Sequence, residues 1–200
     1  MPTRYKAADN RTGKIVRMAA AEFHNLSLRF RVDHLNVVSL KRYAKSMYAR
    51  LEKSDREMMI AVAMAVYDDL SKSDAAKLVD GVLSAYDPVT EYVYTREVGR
   101  KRDRLVESMV AARDRHSLSD AIARAQRLWV AQTKQYADNV VDAAMIKSYR
   151  DAGVKKVRWV SVEDAKRCEV CADLDGKIFS INDIPSKQHR NCRCYVVPVE

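Results

Sequence analysis

The sequence predicts an α+β chain, a long and mostly α-helical body followed by a small C-terminal module with short β-strands. Three observations lead there. Five Gly and four Pro in 200 residues leave few turn-formers, which disfavours many-stranded folds. Apolar residues recur at three- and four-residue steps from Val37 to Tyr149, as one face of a helix requires. After Gly153 that period stops, and all four Cys fall between positions 168 and 194. With 48% hydrophobic and 32% charged residues the chain belongs among globular rather than disordered proteins.

Taken in order, residues 1–35 carry seven basic and three acidic residues without sustained periodicity before Ala19, and are expected to form an extended or partly ordered basic arm. Residues 36–152 are expected to be the helical body. Val37, Leu40, Ala44, Met47, Tyr48 and Leu51 predict a first helix. Ser54-Asp-Arg-Glu57 has the form of a capping box and predicts the start of a second, with Met58, Met59, Val62, Val66 and Leu70 as its buried stripe. Ser73-Asp-Ala opens a shorter helix with Ala76, Val79, Leu83 and Tyr86 inward. Asp87-Pro88 offers an N-cap followed by Pro at the first helical position of a fourth helix, in which Gly99 marks a candidate kink. Ser117-Leu-Ser-Asp is expected to cap a long last helix with Ile122, Ala125, Trp129, Tyr136, Val140, Ala144 and Tyr149 inward, closed by Gly153. In residues 153–200, VRWVSV (157–162) and CYVVPV (194–199) read as strands around a turn-rich stretch.

The net charge of +9 directs attention to nucleic acid or an acidic protein surface as partner. Residues 1–152 hold 27 basic and 20 acidic residues, whereas 153–200 hold nine and seven, so the excess belongs to the arm and helices. Within the body, Arg100, Lys101, Arg102 and Arg104 are the candidate phosphate contacts, since a DNA backbone rewards positive charge regardless of sequence. No run of eighteen apolar residues and no apolar N-terminal segment is present, so no membrane partner is expected and synthesis in the cytoplasm is.

The chemistry concentrates in Cys168-Glu-Val-Cys171, seventeen intervening residues, and His189-Arg-Asn-Cys192-Arg-Cys194. A two-residue gap lets two thiolates of one turn face one ion, and a second knuckle completes the tetrahedron that Zn²⁺ prefers. Four of the five residues Cys168, Cys171, His189, Cys192 and Cys194 are expected to bind a structural Zn²⁺; the spacing leaves the fourth ligand open. A module of about 48 residues cannot bury enough apolar surface alone, and a metal site supplies ~10 kcal/mol or more of folding free energy. Paired disulfides are the competing reading, in an oxidising particle. A thiolate-rich closed shell disfavours catalytic zinc, and no βαβ pattern surrounds the CxxC to support a thioredoxin-type site.

These residues resemble the C-terminal signature of phage Mu F-like head morphogenesis proteins. The resemblance runs through Trp159, Asp164, Cys168, Cys171, Leu174, Asp175, Gly176, Pro185, His189, Cys192, Arg193, Cys194 and Pro198, with Asn139 and the Ala-Gly-Val turn at 152–154 similarly placed. It departs at Gln132-Thr133-Lys134, where the family commonly has Arg-Thr-Glu. The resemblance implies a minor head protein of the virion, present in few copies at the portal or capsid interior and needed for head assembly or genome delivery. It implies the portal or major capsid protein as partner, packaged double-stranded DNA as a non-specific contact, and no enzymatic activity.

Two readings of other classes compete with it, a DNA-binding zinc-ribbon regulator and a metal-dependent nuclease. The nuclease would need a His general base beside a second His on a following helix, and the module holds a single His. His24, His34 and His116 are scattered in polar or basic surroundings and are expected to be solvated or to cap helices. Trp129 and Tyr136 sit at helical spacing among aliphatic residues and are expected in the core rather than as base-stacking platforms.

Overall fold

The apolar stripes of the body assemble around one long helix. In a computed structural model, which describes residues 3–88, 90–163, 167–187, 189 and 192–199, the order is α1 (Thr3–Arg29), a 3₁₀ turn (Val32–His34), α2 (Val37–Val66), α3 (Lys72–Ser84), α4 (Tyr94–Val110), α5 (Arg115–Asp151), β1 (Lys156–Val160), α6 (Glu169–Leu174), β2 (Ile178–Ser180) and β3 (Tyr195–Val199). Helices α1 to α4 all pack on α5. Phe23 of α1, Tyr48 of α2 and Trp129 of α5 meet edge to face, with ring centroids 6.2 and 5.4 Å apart, and Tyr94 meets Tyr136 at 4.8 Å. Such offset geometries let the positive ring edge face the negative ring face, which adds to the burial itself. Trp129 and Tyr136 are core residues, as their spacing predicts.

The expected basic arm is instead helix. Residues 3–29 form α1, with Tyr5, Thr12, Ile15, Ala19, Phe23 and Leu26 buried, followed by Phe30. The stripe runs at helical steps throughout, but Thr12 and the small Ala19 dilute its apolar signal, and burial against α5 and α2 supplies what periodicity lacks. The helical part therefore begins near Thr3 rather than at 36.

Three boundaries also differ from expectation. Ser54 starts no helix: α2 continues through it, because Leu51, Asp55, Met58, Met59 and Val62 keep one buried stripe and tertiary burial outweighs a local capping tetrad. Asp55 is fully buried there. Its Oδ2 accepts hydrogen bonds from Thr133 Oγ1 (2.7 Å) and Tyr94 OH (3.2 Å), and burial pushes its pKa up to about 7. Helix α3 is capped by Ser71, whose hydroxyl accepts from Asp74 N, and Tyr86 lies beyond its end, 63% exposed. Asp87-Pro88 belongs to a turn closed by Asp87 N–H donating to Tyr92 O (3.1 Å), so α4 starts at Tyr94 and runs unbroken through Gly99.

The long helix is bounded by capping at both ends. Asp114, three residues earlier than expected, accepts from Ser117 N (2.7 Å) in a capping box. At the other end Gly153 adopts φ +79°, with its N–H donating to Arg150 O and Val154 N–H to Tyr149 O, both at 3.0 Å. This is the paired closure of a Schellman motif, which a β-carbon would strain.

The tail is an antiparallel sheet of order β2-β1-β3 with its own small core. In β1, Val157 and Trp159 point inward while Lys156 and Arg158 are exposed. Pro198 is tolerated because β3 is an edge strand. Strand β2 and helix α6 lie in the stretch expected to be turns. Gly176, at φ +74°, makes the bend between them, and its N–H donates to Trp159 O (2.9 Å). Val157, Trp159, Cys171, Ile181, Cys192, Cys194 and Val196 form the core, against which Ile146 and Tyr149 of α5 pack.

Candidate metal centre

Each donor is placed by a local rule. Cys168 is the N-cap of α6, and its Sγ accepts from Cys171 N at 3.3 Å. The CxxC therefore straddles the first turn, with both sulfurs on one side. Cys192, Cys194 and Val196 alternate with Arg193 and Tyr195 on the way into β3, so the two Cys side chains share the buried face. His189 approaches from the connecting segment, its Nε2 3.4 Å from Cys171 Sγ, while Cys192 Sγ lies 3.6 Å from Cys171 Sγ.

All four Cys are free thiols. The donors form two overlapping sets, Cys168 with Cys171 and His189, and Cys171 with Cys192 and Cys194, each within 4.8 Å. The five residues could together hold a metal ion, with Cys171 common to both sets. Burial pushes the Cys171 and Cys192 thiols up, aided at Cys171 by neighbouring sulfurs. The Cys168 thiol is lowered by the Cys171 backbone N–H that it accepts. A cation among these sulfurs would offset the cost of ionising them where water is excluded.

Around the cluster the tail is braced by polar contacts. Asp175, a residue of the signature, accepts from Ser161 N (2.7 Å) and pairs with Arg167 (3.1 Å), which holds the end of α6 against the end of β1. That same Ser161 N–H holds the Asp175 carboxyl below its ordinary range. Asp164 and the Arg190-Asn191 pair of the motif lie outside the described residues.

Sequence reasoning missed how the tail is fastened to the body. Asp142 of α5 pairs with Lys187 (2.6 Å) and accepts from Tyr5 OH of α1, while Arg150 Nη2 donates to Ile181 O (3.0 Å). No local signal could have shown this, because the partners lie far apart in the chain. Asp142, Ile146, Tyr149 and Arg150 mark the tail-facing side of α5.

The four basic candidates of α4 have different surroundings. Lys101, with 11% of its side chain exposed, faces inward to pair with Glu97 (2.6 Å) and to donate to Gln132 Oε1, so its charge is engaged in the body. Arg102 pairs with Asp103 (2.8 Å). Arg100 lies over the Tyr92 ring at 4.1 Å, and Arg104 is exposed. The Gln132-Thr133-Lys134 stretch is also explained: Gln132 takes Lys101, Thr133 donates to Asp55, and Lys134 faces outward. His24, His34 and His116 are exposed. Among the described residues no helix is long and apolar enough to cross a membrane.

A family model described as Phage Mu protein F like protein matches residues 97–197. The match takes in most of α4, all of α5 and the tail with its five donors. No curated protein and no solved structure matches.

Proposed function

The chain belongs to the Phage Mu protein F-like family, which implies a role in phage head morphogenesis, and from that premise we propose that it serves as a minor head protein of the virion. In this reading it docks on the portal or the major capsid protein, inside the head or at the portal vertex, after assembly in the host cytoplasm. Its part is structural rather than enzymatic. The observation that carries the reading is the continuity of the family match from the helices into the Cys/His tail, over half of the chain.

We propose further that the five donors hold Zn²⁺ through four of their number. A tetrahedral ion with bonds of about 2.3 Å to sulfur and about 2.0–2.1 Å to nitrogen has edges of about 3.8 Å between sulfurs and about 3.5 Å between sulfur and nitrogen. The separations of 3.6 and 3.4 Å at Cys171 fit those edges. The ion would tie α6 to the start of β3. Packaged DNA is a non-specific contact in this reading, with Arg100 and Arg104 the side chains of α4 available to phosphate and Lys101 engaged within the body.

The test is composition of the particle. Procapsids and mature heads are purified and the protein is quantified against the major capsid protein by mass spectrometry. The reading expects it in heads at far fewer copies than the capsid protein; absence from both particles overturns it. Sequence-specific duplex binding at physiological salt would instead support the zinc-ribbon regulator.

A further inference from the structure

The end of the helical body farthest from the tail carries a groove of about 670 Å³, within the range of ligand sites. It lies between two connections, the one from α1 to α2 with Arg31 and Asp33 and the one from α4 to α5 with Arg113 and Asp114, against the first turns of α5. Ile122 in the groove and Asp142 beneath the tail stand about 30 Å apart along α5, so no metal donor takes part.

Its charges are unevenly committed. Arg31, Arg113 and Arg115 line the groove with exposed side chains that make no hydrogen bond or ion pair among the described residues. Two carboxylates share the walls. Asp114 accepts from Ser117 N and Oγ, both at 2.7 Å, and the Ser117 N–H holds it below its ordinary range. That leaves Asp33 as one uncommitted carboxylate against three uncommitted guanidinium groups, and like charges gathered in this way favour an anion among them.

A second observation is independent of charge. The floor is apolar: Phe30, Leu118 and Ile122 are buried at its base, and Leu28 in the wall is 67% exposed. An exposed leucine is common by itself, but beside such a floor it extends the surface that an apolar side chain would cover. A DNA backbone would meet the cations and leave the floor bare, and a small carboxylate would engage one or two of the three arginines. A second copy of this chain, at net charge +9, has the wrong sign.

We propose that this groove docks an acidic segment of another protein, an apolar side chain seated over Phe30, Leu118 and Ile122 and flanking carboxylates paired with Arg31 on one wall and with Arg113 and Arg115 on the other. Arginine suits the task because its planar fork takes a carboxylate through two parallel hydrogen bonds. Residues 113–122 of the groove lie inside the family match and residues 24–33 precede it, so the match does not describe the groove as a whole. The groove is also separate from the tail, and the docking can fail while the role in the head stands.

The metal-loaded, ¹⁵N-labelled full chain is titrated with a capped heptapeptide of alternating glutamate and leucine. Amide resonances of residues 28–33 and 113–119 are expected to move with a Kd on the order of 0.1–1 mM, fitting a short unstructured segment, while those of β1 stay in place. The glutamate–serine peptide, which lacks the apolar side chains, is expected to bind at least about tenfold more weakly. The lysine–leucine peptide is expected to leave the groove resonances unmoved. Arg113→Gln/Arg115→Gln is expected to weaken binding roughly tenfold or more, and Arg31→Gln, on the opposite wall, about threefold or more, as lost charge-assisted contacts should. All three side chains are exposed, so the variants keep the fold. Lys41→Gln/Lys45→Gln removes two exposed cations of α2 outside the groove and is expected to leave the Kd within about twofold. Unmoved groove resonances, equal binding of the glutamate–serine peptide, unchanged binding in the arginine variants, or an equal loss in the lysine variant overturns the proposal. A short DNA duplex that moves the same resonances with a tighter Kd, and loses that binding in the same arginine variants, overturns its protein occupant.

Discussion

The body and the tail are held together by different means. The core of the body draws on all five long helices and closes around large side chains such as Phe23, Tyr48, Trp129 and Tyr136. Among the described residues the core of the tail has seven buried residues, three of them Cys. Burying a large apolar side chain contributes ~1.5–3 kcal/mol, so the body accumulates stability from many such contacts along long helices. The tail cannot, and its buried sulfurs are arranged where a bound metal ion would cross-link α6 to the β3 approach. The two regions should therefore fail separately, and under different insults.

The largest effect expected is at Cys171, the one donor shared by both sets. Cys171→Ser should cost most of the ~10 kcal/mol that a structural zinc contributes and unfold residues 155–199. Hydrogen exchange should show protection lost there and kept in α2 and α5. Trp129→Ala is the converse. It should destabilise the body by ~3–5 kcal/mol in a denaturant titration and leave the metal content of the folded chain unchanged.

How far these regions could be read from the sequence follows from the same contrast. The Cys and His spacings were legible as a candidate donor set because they fall within one short stretch, and the structure brings all five together. The stripes of α2 and α5 were legible because Leu40, Ala44, Met47, Trp129 and Tyr136 repeat one period strongly. Helix α1 was not, since a stripe that includes Thr12 and Ala19 looks helical only once α5 is there to bury it. Ser54-Asp-Arg-Glu57 misled because a capping tetrad also occurs inside helices, and Asp55 marks a polar network visible only when Tyr94 and Thr133 converge on it. The Asp142–Lys187 pair and the groove between Arg31 and Arg113 are tertiary in origin.

Asp55 sharpens the comparison through pH. Its folded pKa of about 7 lies above its ordinary 3.8, so the folded chain holds a proton that the unfolded chain releases. Its contribution is full below about pH 4 and is lost as pH rises toward 7. Asp55→Asn keeps an acceptor for Thr133 and Tyr94 without the charge. It should stabilise the body above pH 7 by about 2–4 kcal/mol and flatten that part of the pH profile. Chemical denaturation at pH 5 and 8 checks both.

The smallest effect expected is at the fastening between the regions. Arg150→Ala removes one hydrogen bond to Ile181 O and should cost ~1 kcal/mol, seen as faster exchange of amides near residue 181 with both cores intact. Global unfolding of the variant would mean that the tail and body are one cooperative unit.

We propose that a metal folds the tail, whereas the body folds by itself. The most direct measurement is elemental analysis of the purified chain and of the Cys168→Ser/Cys171→Ser double variant, paired with hydrogen exchange of each. The account predicts one zinc per native chain, none in the double variant, and loss of protection confined to residues 155–199. A full zinc equivalent retained by the double variant, or a tail that stays protected without metal, would contradict it.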